Sequence, residues 1–540
     1  MLIIKKIGSV SENKSYEKLM KKDFGFKSQI YLMSMFFVFP LFIINYSNLT
    51  RTKYVLFLVL TLLFFASVLY SFCGLLLDGY KPRISLNIGE NKAEFFLLCF
   101  LFFSVISYLL SPYKNIENPS GMSSFIFGYG RYDGFLTLSL YVLIFLLISK
   151  YGSFKKVHLY LVTISVCVMS IITTIQSFGY NPFWLFPDGG VGGIYMFAST
   201  IGNIDLLSCV FCITLPLINL TYLFLNTSRL LSALILFSVF LNTYSVFLIE
   251  VNSGNIAYIT LFFILLPVLL KKGVLLYKSL FLMFSIVFAC SLRALINLEY
   301  IQQAQKTNVS LSFSLLFWIS LILGLILLAV GFIQLKKNPE KIIRVNLWYI
   351  VVVAEIIVVS IILICIYNYS FADSDSGFTK NLLSEIADLL HGKITMNSGT
   401  GRIGIWVESF KIALKSPVFG TGLGSYATVF MECSNGNYSS PSLVLDNPHN
   451  EYLSIFFTNG LIGLILYLAF LISVALKSFK TLLKNEFTLI FFAVTLCYLI
   501  QAFFNISIVI CAPLFWISIA LLQKSKDLNE DFSHHCLTFL

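Results

Sequence analysis

Charge is what this chain has least of: only 12% of its 540 residues are Asp, Glu, Lys or Arg, against roughly 25% in an ordinary soluble domain. With 58% hydrophobic residues and a mean hydropathy of +0.87, so little charge excludes a water-soluble globule and indicates a polytopic membrane protein. Histidine is also scarce, five in all. The eleven cysteines make no disulfide framework, since nearly all fall within apolar runs and only Cys433 lies clearly outside them. Cys209 and Cys212 have CxxC spacing but sit in one apolar run without a second pair, so they read as small packing residues. No cleavage-site pattern accompanies the first apolar run, and no removable signal peptide is expected. Internal repeats are absent, as is any pair of acidic residues with divalent-metal character beside the motifs described below.

Apolar runs of about 17 to 25 residues, enough to cross a hydrocarbon core as helices, recur along nearly the whole sequence. Fourteen are expected, near 30–46, 54–77, 94–112, 133–149, 157–178, 203–225, 230–249, 254–270, 274–292, 313–335, 345–368, 454–476, 487–505 and 507–523. Most of the 37 lysines and arginines fall in the N-terminal tail and in the loops after even-numbered spans. By the positive-inside rule this puts both termini in the cytoplasm. The net charge of +11 then reflects topology, and a nucleic-acid partner is not expected. The predicted fold is all-α: a polytopic membrane protein with about fourteen transmembrane helices and one large extracytoplasmic loop carrying short amphipathic helices. Its parts are a cytoplasmic N-terminal tail (1–27), a bundle of helices 1 to 11 (28–368), the loop (369–453), helices 12 to 14 (454–523) and a cytoplasmic C-terminal tail (524–540).

That loop far exceeds an ordinary connection, and long loops usually carry function. Leu382, Leu383, Ile386, Leu389 and Leu390 recur at helical spacing, as do Ile403, Trp406, Phe410, Ala413 and Leu414. Two amphipathic helices are therefore expected. Ser398, Gly399 and Thr400 can start the second; Lys415 and Pro417 can end it. Arg402 opens that helix, where a cation opposes the macrodipole, so an anion beside it would suit both. The turn Gly420-Thr421-Gly422-Leu423-Gly424 follows a helix rather than a strand, which argues against a nucleotide loop.

Where the loop returns to the membrane the sequence reads Asp446-Asn447-Pro448-His449-Asn450-Glu451-Tyr452-Leu453. His158, His534 and His535 are predicted cytoplasmic, leaving His391 and His449 on the outer face. An imidazole with an ordinary pKa of about 6.5 is suited to taking a proton from a sugar hydroxyl near neutral pH. Asp446, Asn450 and Glu451 are close enough in sequence to orient it.

The order Gly401-Arg402, Trp406, Pro417, Gly420-x-Gly422-x-Gly424, Pro448-His449-Asn450-x-x-Leu453 and Asn459-Gly460-x-x-Gly463 resembles the signature of the O-antigen ligase and polymerase superfamily of bacterial membrane glycosyltransferases. Three upstream segments resemble the same family, and all reach the predicted outer face. They are Gly128-Tyr129-Gly130-Arg131-Tyr132-Asp133-Gly134, Gln176-x-x-Gly179, and Thr200-Ile201-Gly202-Asn203-Ile204-Asp205. The resemblance implies a metal-independent glycosyltransferase in surface polysaccharide biosynthesis. It would move a saccharide from undecaprenyl diphosphate to an acceptor hydroxyl on the outer face of the bacterial cytoplasmic membrane. It implies His449 and Arg402 as catalytic residues. It assigns substrate binding to Arg131, Asn203, Asp205, Trp406, Gly420, Gly422, Gly424 and Asn450, the glycines by letting backbone approach sugar or phosphate. No cofactor or metal is expected. The partners implied are the lipid-linked glycan donor, a glycan, lipid or protein acceptor, and the bilayer.

The chain departs from the family where an arginine thought to bind the donor's diphosphate usually opens helix 8, for here the sequence is Asn252-Ser253-Gly254-Asn255. Arg131 and Arg293 are the candidates to replace it, and Glu250 has no evident partner. Ligase and polymerase remain open, with ligase favoured because the loop signature most resembles that side. The rival from another class is a transporter of lipid-linked sugars, favoured by the helix number and by Glu355, which falls mid-span in helix 11 and is expected to face the bundle interior. A non-catalytic scaffold is the third reading.

Overall fold

The computed structural model describes residues 2–44, 46, 48–80, 91–185, 198–225, 227–301, 306–368, 378–396, 398–399, 401–434 and 445–528. Thr400, His534 and His535, and parts of the long loop and of the C-terminal tail, lie outside the described residues. The backbone is helical nearly throughout, as lipid requires: with no water to take up N–H and C=O groups, each apolar run must satisfy them within itself. The helices are α1 (Leu2–Met33), α2 (Leu49–Leu77), α3 (Lys92–Leu110), α4 (Phe135–Tyr151), α5 (Lys156–Ser177), α6 (Ile204–Phe224), α7 (Arg229–Ile249), α8 (Asn252–Lys272), α9 (Leu276–Leu295), α10 (Leu315–Lys337), α11 (Trp348–Asn368), α12 (Phe378–Leu390), α13 (Arg402–Ala413), α14 (Tyr426–Cys433), α15 (Glu451–Phe479), α16 (Glu486–Ala502) and α17 (Ala512–Lys524).

Among the described residues, eleven helices are long and apolar enough to cross a membrane, and α4, α16 and α17 are shorter apolar helices. Together they occupy the fourteen expected positions. The first differs in its limits, because the span is Ser15–Leu41 and the helix continues through a π turn at Ser34–Val38. Lys53 falls in the first turns of α2 rather than in a loop; it is fully buried and donates to the carbonyls of Phe39 (2.7 Å) and Pro40 (2.9 Å). Its ammonium closes the C-terminal end of the first span, where carbonyls lack helical partners. An antiparallel hairpin unforeseen in the sequence, Ile296–Ile301 with Lys306–Leu311, joins α9 to α10.

The core centres on α6, whose apolar window is wholly buried; it packs against α7 and α16, while α3 packs on α15 and α4 on α17. At the edge, α11 has only Ile366 buried. Glu355 is on this edge helix and faces α8. It lies half-buried in a groove between α8 and α11 beside Pro267.

Candidate active site

The site is organised by a break in α15. Its sequence reads as one continuous apolar helix, but at Gly460 the backbone adopts φ +64°, ψ −170° and divides it into two segments. A break strands the carbonyls of the preceding turn. The glycine-rich turn of the long loop meets that need: Thr421 N donates to Phe457 O (3.0 Å), Gly422 N to Thr458 O (2.8 Å), and Leu461 N turns to Pro417 O (2.8 Å). Ser107 at the end of α3 also donates to Thr458 O (2.9 Å). A Cβ on Gly420 would overlap the backbone of Thr458 and Gly460, and one on Gly424 would overlap Ser124 O. All three glycines of the turn have positive φ. Gly420 and Gly424 thus admit backbone to backbone and Gly422 lies against Ser111, so the turn splices loop to span; Gly424 also lines a cavity on its other side.

The splice positions His449. Asn450 caps α15 by accepting from Leu453 N (2.9 Å), and Asn447 accepts from His449 N (2.9 Å), forming an Asx turn. Between them His449 is held at φ +53°, a left-handed conformation that non-glycine residues seldom adopt and that clusters at functional sites. Trp406 of α13 donates its indole N–H to Pro448 O (2.9 Å) and packs edge-on to Phe503. Trp406 and Asn450, expected to bind substrate, therefore spend these polar atoms fixing the backbone on either side of the histidine.

Arg402 has the anion that its place at a helix N-terminus called for. Its Nη2 lies 3.5 Å from Asp205 Oδ1, and Asp205 stands in the first turn of α6, where the helix dipole favours negative charge. Asn203 caps the same helix by accepting from Leu206 N (3.1 Å). Asn505 donates to Asp205 O (2.9 Å) and ties α6 to the segment after α16. On the other side, Arg131 Nε meets Asp446 Oδ2 at 2.5 Å.

His449 feels all four charges. Burial, and then the Arg402 guanidinium, push its imidazole below the ordinary 6.5; Arg131 acts in the same direction, while Asp205 and Asp446 oppose it. Its Nδ1 is shielded and has no hydrogen-bond partner among the described residues. The centre is thus a neutral imidazole with a free ring nitrogen between two arginine–aspartate pairs, an arrangement able to accept a proton beside a bound anion.

Both candidate second cations carry an acidic partner, Arg131 in Asp446 and Arg293 in Glu250. Arg293 is engaged by Glu250 at 2.5 Å, which supplies the partner that Glu250 lacked in the sequence. A Cβ on Gly254 would overlap Ser208 Oγ, so the start of α8 has no room for a larger side chain there. Arg131 is the one that reaches the histidine. It also lines an open groove of about 740 Å³ together with Asn203, Tyr46 and Arg51. Arg51 was not singled out in the sequence, where it looks like any lysine or arginine at the start of a span. On the other side of the Arg131–Asp446 pair lies a separate cavity of about 130 Å³, lined by Asp446, Asp133 and Glu451 among others.

These features define a polytopic helical membrane protein whose polar centre is assembled from a loop between spans and from the ends of the spans around it. Residues 307–468 match the family model described as O-antigen ligase. This segment contains Arg402, Trp406, the three glycines of the turn, His449 and Asn450, whereas Arg131, Asn203 and Asp205 lie before it. The match supports the O-antigen ligase superfamily, and with it a ligase- or polymerase-type membrane enzyme. No curated protein matches the chain.

Proposed function

We propose that this protein is an O-antigen ligase-like glycosyltransferase that moves a saccharide from a polyprenyl diphosphate such as undecaprenyl diphosphate to an acceptor hydroxyl, on the outer face of a bacterial cytoplasmic membrane. The observation that carries the reading is the His449 centre, in which a histidine kept neutral by burial and by Arg402 stands between two arginines. The donor's diphosphate is the leaving group. Arg402 and Arg131 neutralise it, exchanging their aspartate partners for phosphate oxygens through charge-assisted hydrogen bonds. The groove that Arg131 shares with Arg51 and Asn203 has the volume for the diphosphate and the first sugar, and Arg51 adds a third positive charge at its rim. His449 takes the proton of the attacking hydroxyl as the bond from the anomeric carbon to the diphosphate oxygen breaks. Trp406, Asn447 and Asn450 hold that imidazole in place.

The test is glycan production in cells whose own copy is replaced by His449→Ala or Arg402→Ala, at matched membrane abundance. Loss of long glycan in both variants is expected, and normal glycan in both would refute the mechanism. Following carrier-linked oligosaccharide without added acceptor separates ligase from polymerase, because only a polymerase lengthens it.

A further inference from the structure

The cavity on the other side of Asp446 is unused by the mechanism above. It is bounded by α3, α4, α14, α15 and α17, and its volume of about 130 Å³ corresponds to on the order of ten water molecules. That is room for about one sugar ring. We propose that this cavity is the acceptor subsite and takes a single neutral, hydroxyl-rich sugar ring, excluding uronic acids.

Its walls carry the chemistry that recognises such a ring. Three residues that line it carry a buried side-chain atom with no hydrogen-bond partner among the described residues: Oγ1 of Thr137, the hydroxyl of Tyr141 and Oδ1 of Asn459. Buried groups of this kind nearly always have partners in folded proteins, and ring hydroxyls supply both donors and acceptors. Asp133 and Asp446 add carboxylates that accept from hydroxyls. On the apolar side Trp516 stacks on Tyr141 and on Phe470 (ring centroids 5.6 and 5.8 Å), which makes that wall rigid. Glu451 is part of the frame rather than a contact, since Tyr467 (2.5 Å) and Tyr498 (3.3 Å) already donate to its two oxygens.

Asp133 is placed by the loop that precedes α4. Gly128 has φ +79°, and a Cβ there would overlap the Asp133 carboxylate, while a Cβ on Gly134 would overlap the backbone of Ile126 and Gly128. The two glycines close the loop so that Arg131 meets Asp446 while Asp133 lines the cavity. Burial and the nearby Asp446 push the Asp133 carboxyl up to about 6, which leaves it mostly ionised at neutral pH and able to accept from two hydroxyls. A sugar carboxylate would face the like charge of Asp133 there.

The inference rests on reading the His449 centre as a transfer site, and its test is binding rather than turnover. Purified full-length protein in detergent is titrated calorimetrically with glucose, galactose, N-acetylglucosamine and glucuronate. Saturable binding of at least one neutral sugar is expected, with glucuronate at least about tenfold weaker and with about tenfold loss for the neutral sugar in Asp133→Asn, the scale of one charge-assisted hydrogen bond. Tyr141→Phe, which removes only an unpartnered hydroxyl, is the second variant and is expected to weaken binding severalfold without unfolding the protein. No binding of any neutral sugar, equal binding of glucuronate, or undiminished binding by both variants would overturn the proposal. His449→Ala separates the two claims: it should bind sugar as the wild type does while failing to transfer. If it transfers normally the transfer reading fails alone; if it is inactive and the wild type binds no sugar, the subsite fails alone.

Discussion

Arg131 and Asp446, 315 residues apart in sequence, meet at 2.5 Å with Arg131 lining the groove and Asp446 lining the cavity. Their pair is the partition between the two compartments. If the groove holds the donor, the two partners have opposite effects on it. Arg131→Gln is expected to weaken binding of a polyprenyl diphosphate about tenfold, the scale of a lost charge-assisted contact. Asp446→Asn, which frees the guanidinium, should leave that binding unchanged or tighter. Competition with inorganic pyrophosphate measures both. Equal losses would mean that the pair only supports the fold.

The histidine has a pH signature with a definite sign. Its pKa is depressed below 6.5, so the basic form persists as the medium is acidified through 6.5 and the acid limb of the transfer rate should lie below that value. Asp205 favours the imidazolium, so Asp205→Asn should move the limb lower still. Stability follows the same linkage. The unfolded chain binds the proton more tightly than the folded one, so His449 contributes a loss of stability that begins as pH falls through 6.5 and grows until the folded pKa is reached. Rate profiles and melting curves of wild type and His449→Gln check both statements.

Gly420 tests the splice. Gly420→Ala would place a methyl group on the backbone of Thr458 and Gly460 at φ +73°, whereas Gly79→Ala, at φ +98°, meets nothing within 4 Å. Each costs roughly 1–2 kcal/mol for the left-handed backbone alone. Only Gly420→Ala adds a clash with backbone, so it should melt distinctly lower in detergent and reach the membrane in smaller amounts.

Lys53 tests the frame. Lys53→Met keeps the length of the stem but removes the ammonium that satisfies two buried carbonyls, at a cost of about 1–3 kcal/mol for each group left unpaired. A lower melting temperature is expected. A melting temperature equal to the wild type's would contradict the capping role.

The membrane spans were legible because their signal is local: each apolar run declares its own helix. Arg402, His449 and the glycine turn were legible as a spaced signature within one loop. What a single run cannot declare is a contact across the fold. Arg402 and Asp205 are 197 residues apart, so Asp205 showed itself in the sequence as a motif residue and not as the anion at the α13 N-terminus. The break at Gly460 hides in an apolar stretch because the compensating N–H groups come from Thr421 and Gly422. Asn203 and Asn450 each stand immediately before a helix, where asparagine is a favoured cap; that rule was available in the sequence, and Asn203 lines the groove as well. Asp133 sat unremarked inside a glycine segment noted for its arginine.

The most direct test of the account is transfer by purified protein reconstituted in liposomes with a polyprenyl-diphosphate-linked oligosaccharide and an acceptor glycan. Wild type is compared with His449→Ala and Arg402→Ala at equal amounts of folded protein. The account expects a fall of at least about 100-fold for His449→Ala, as for loss of a general base, with a comparable loss for Arg402→Ala. Wild-type rates in both variants would contradict it.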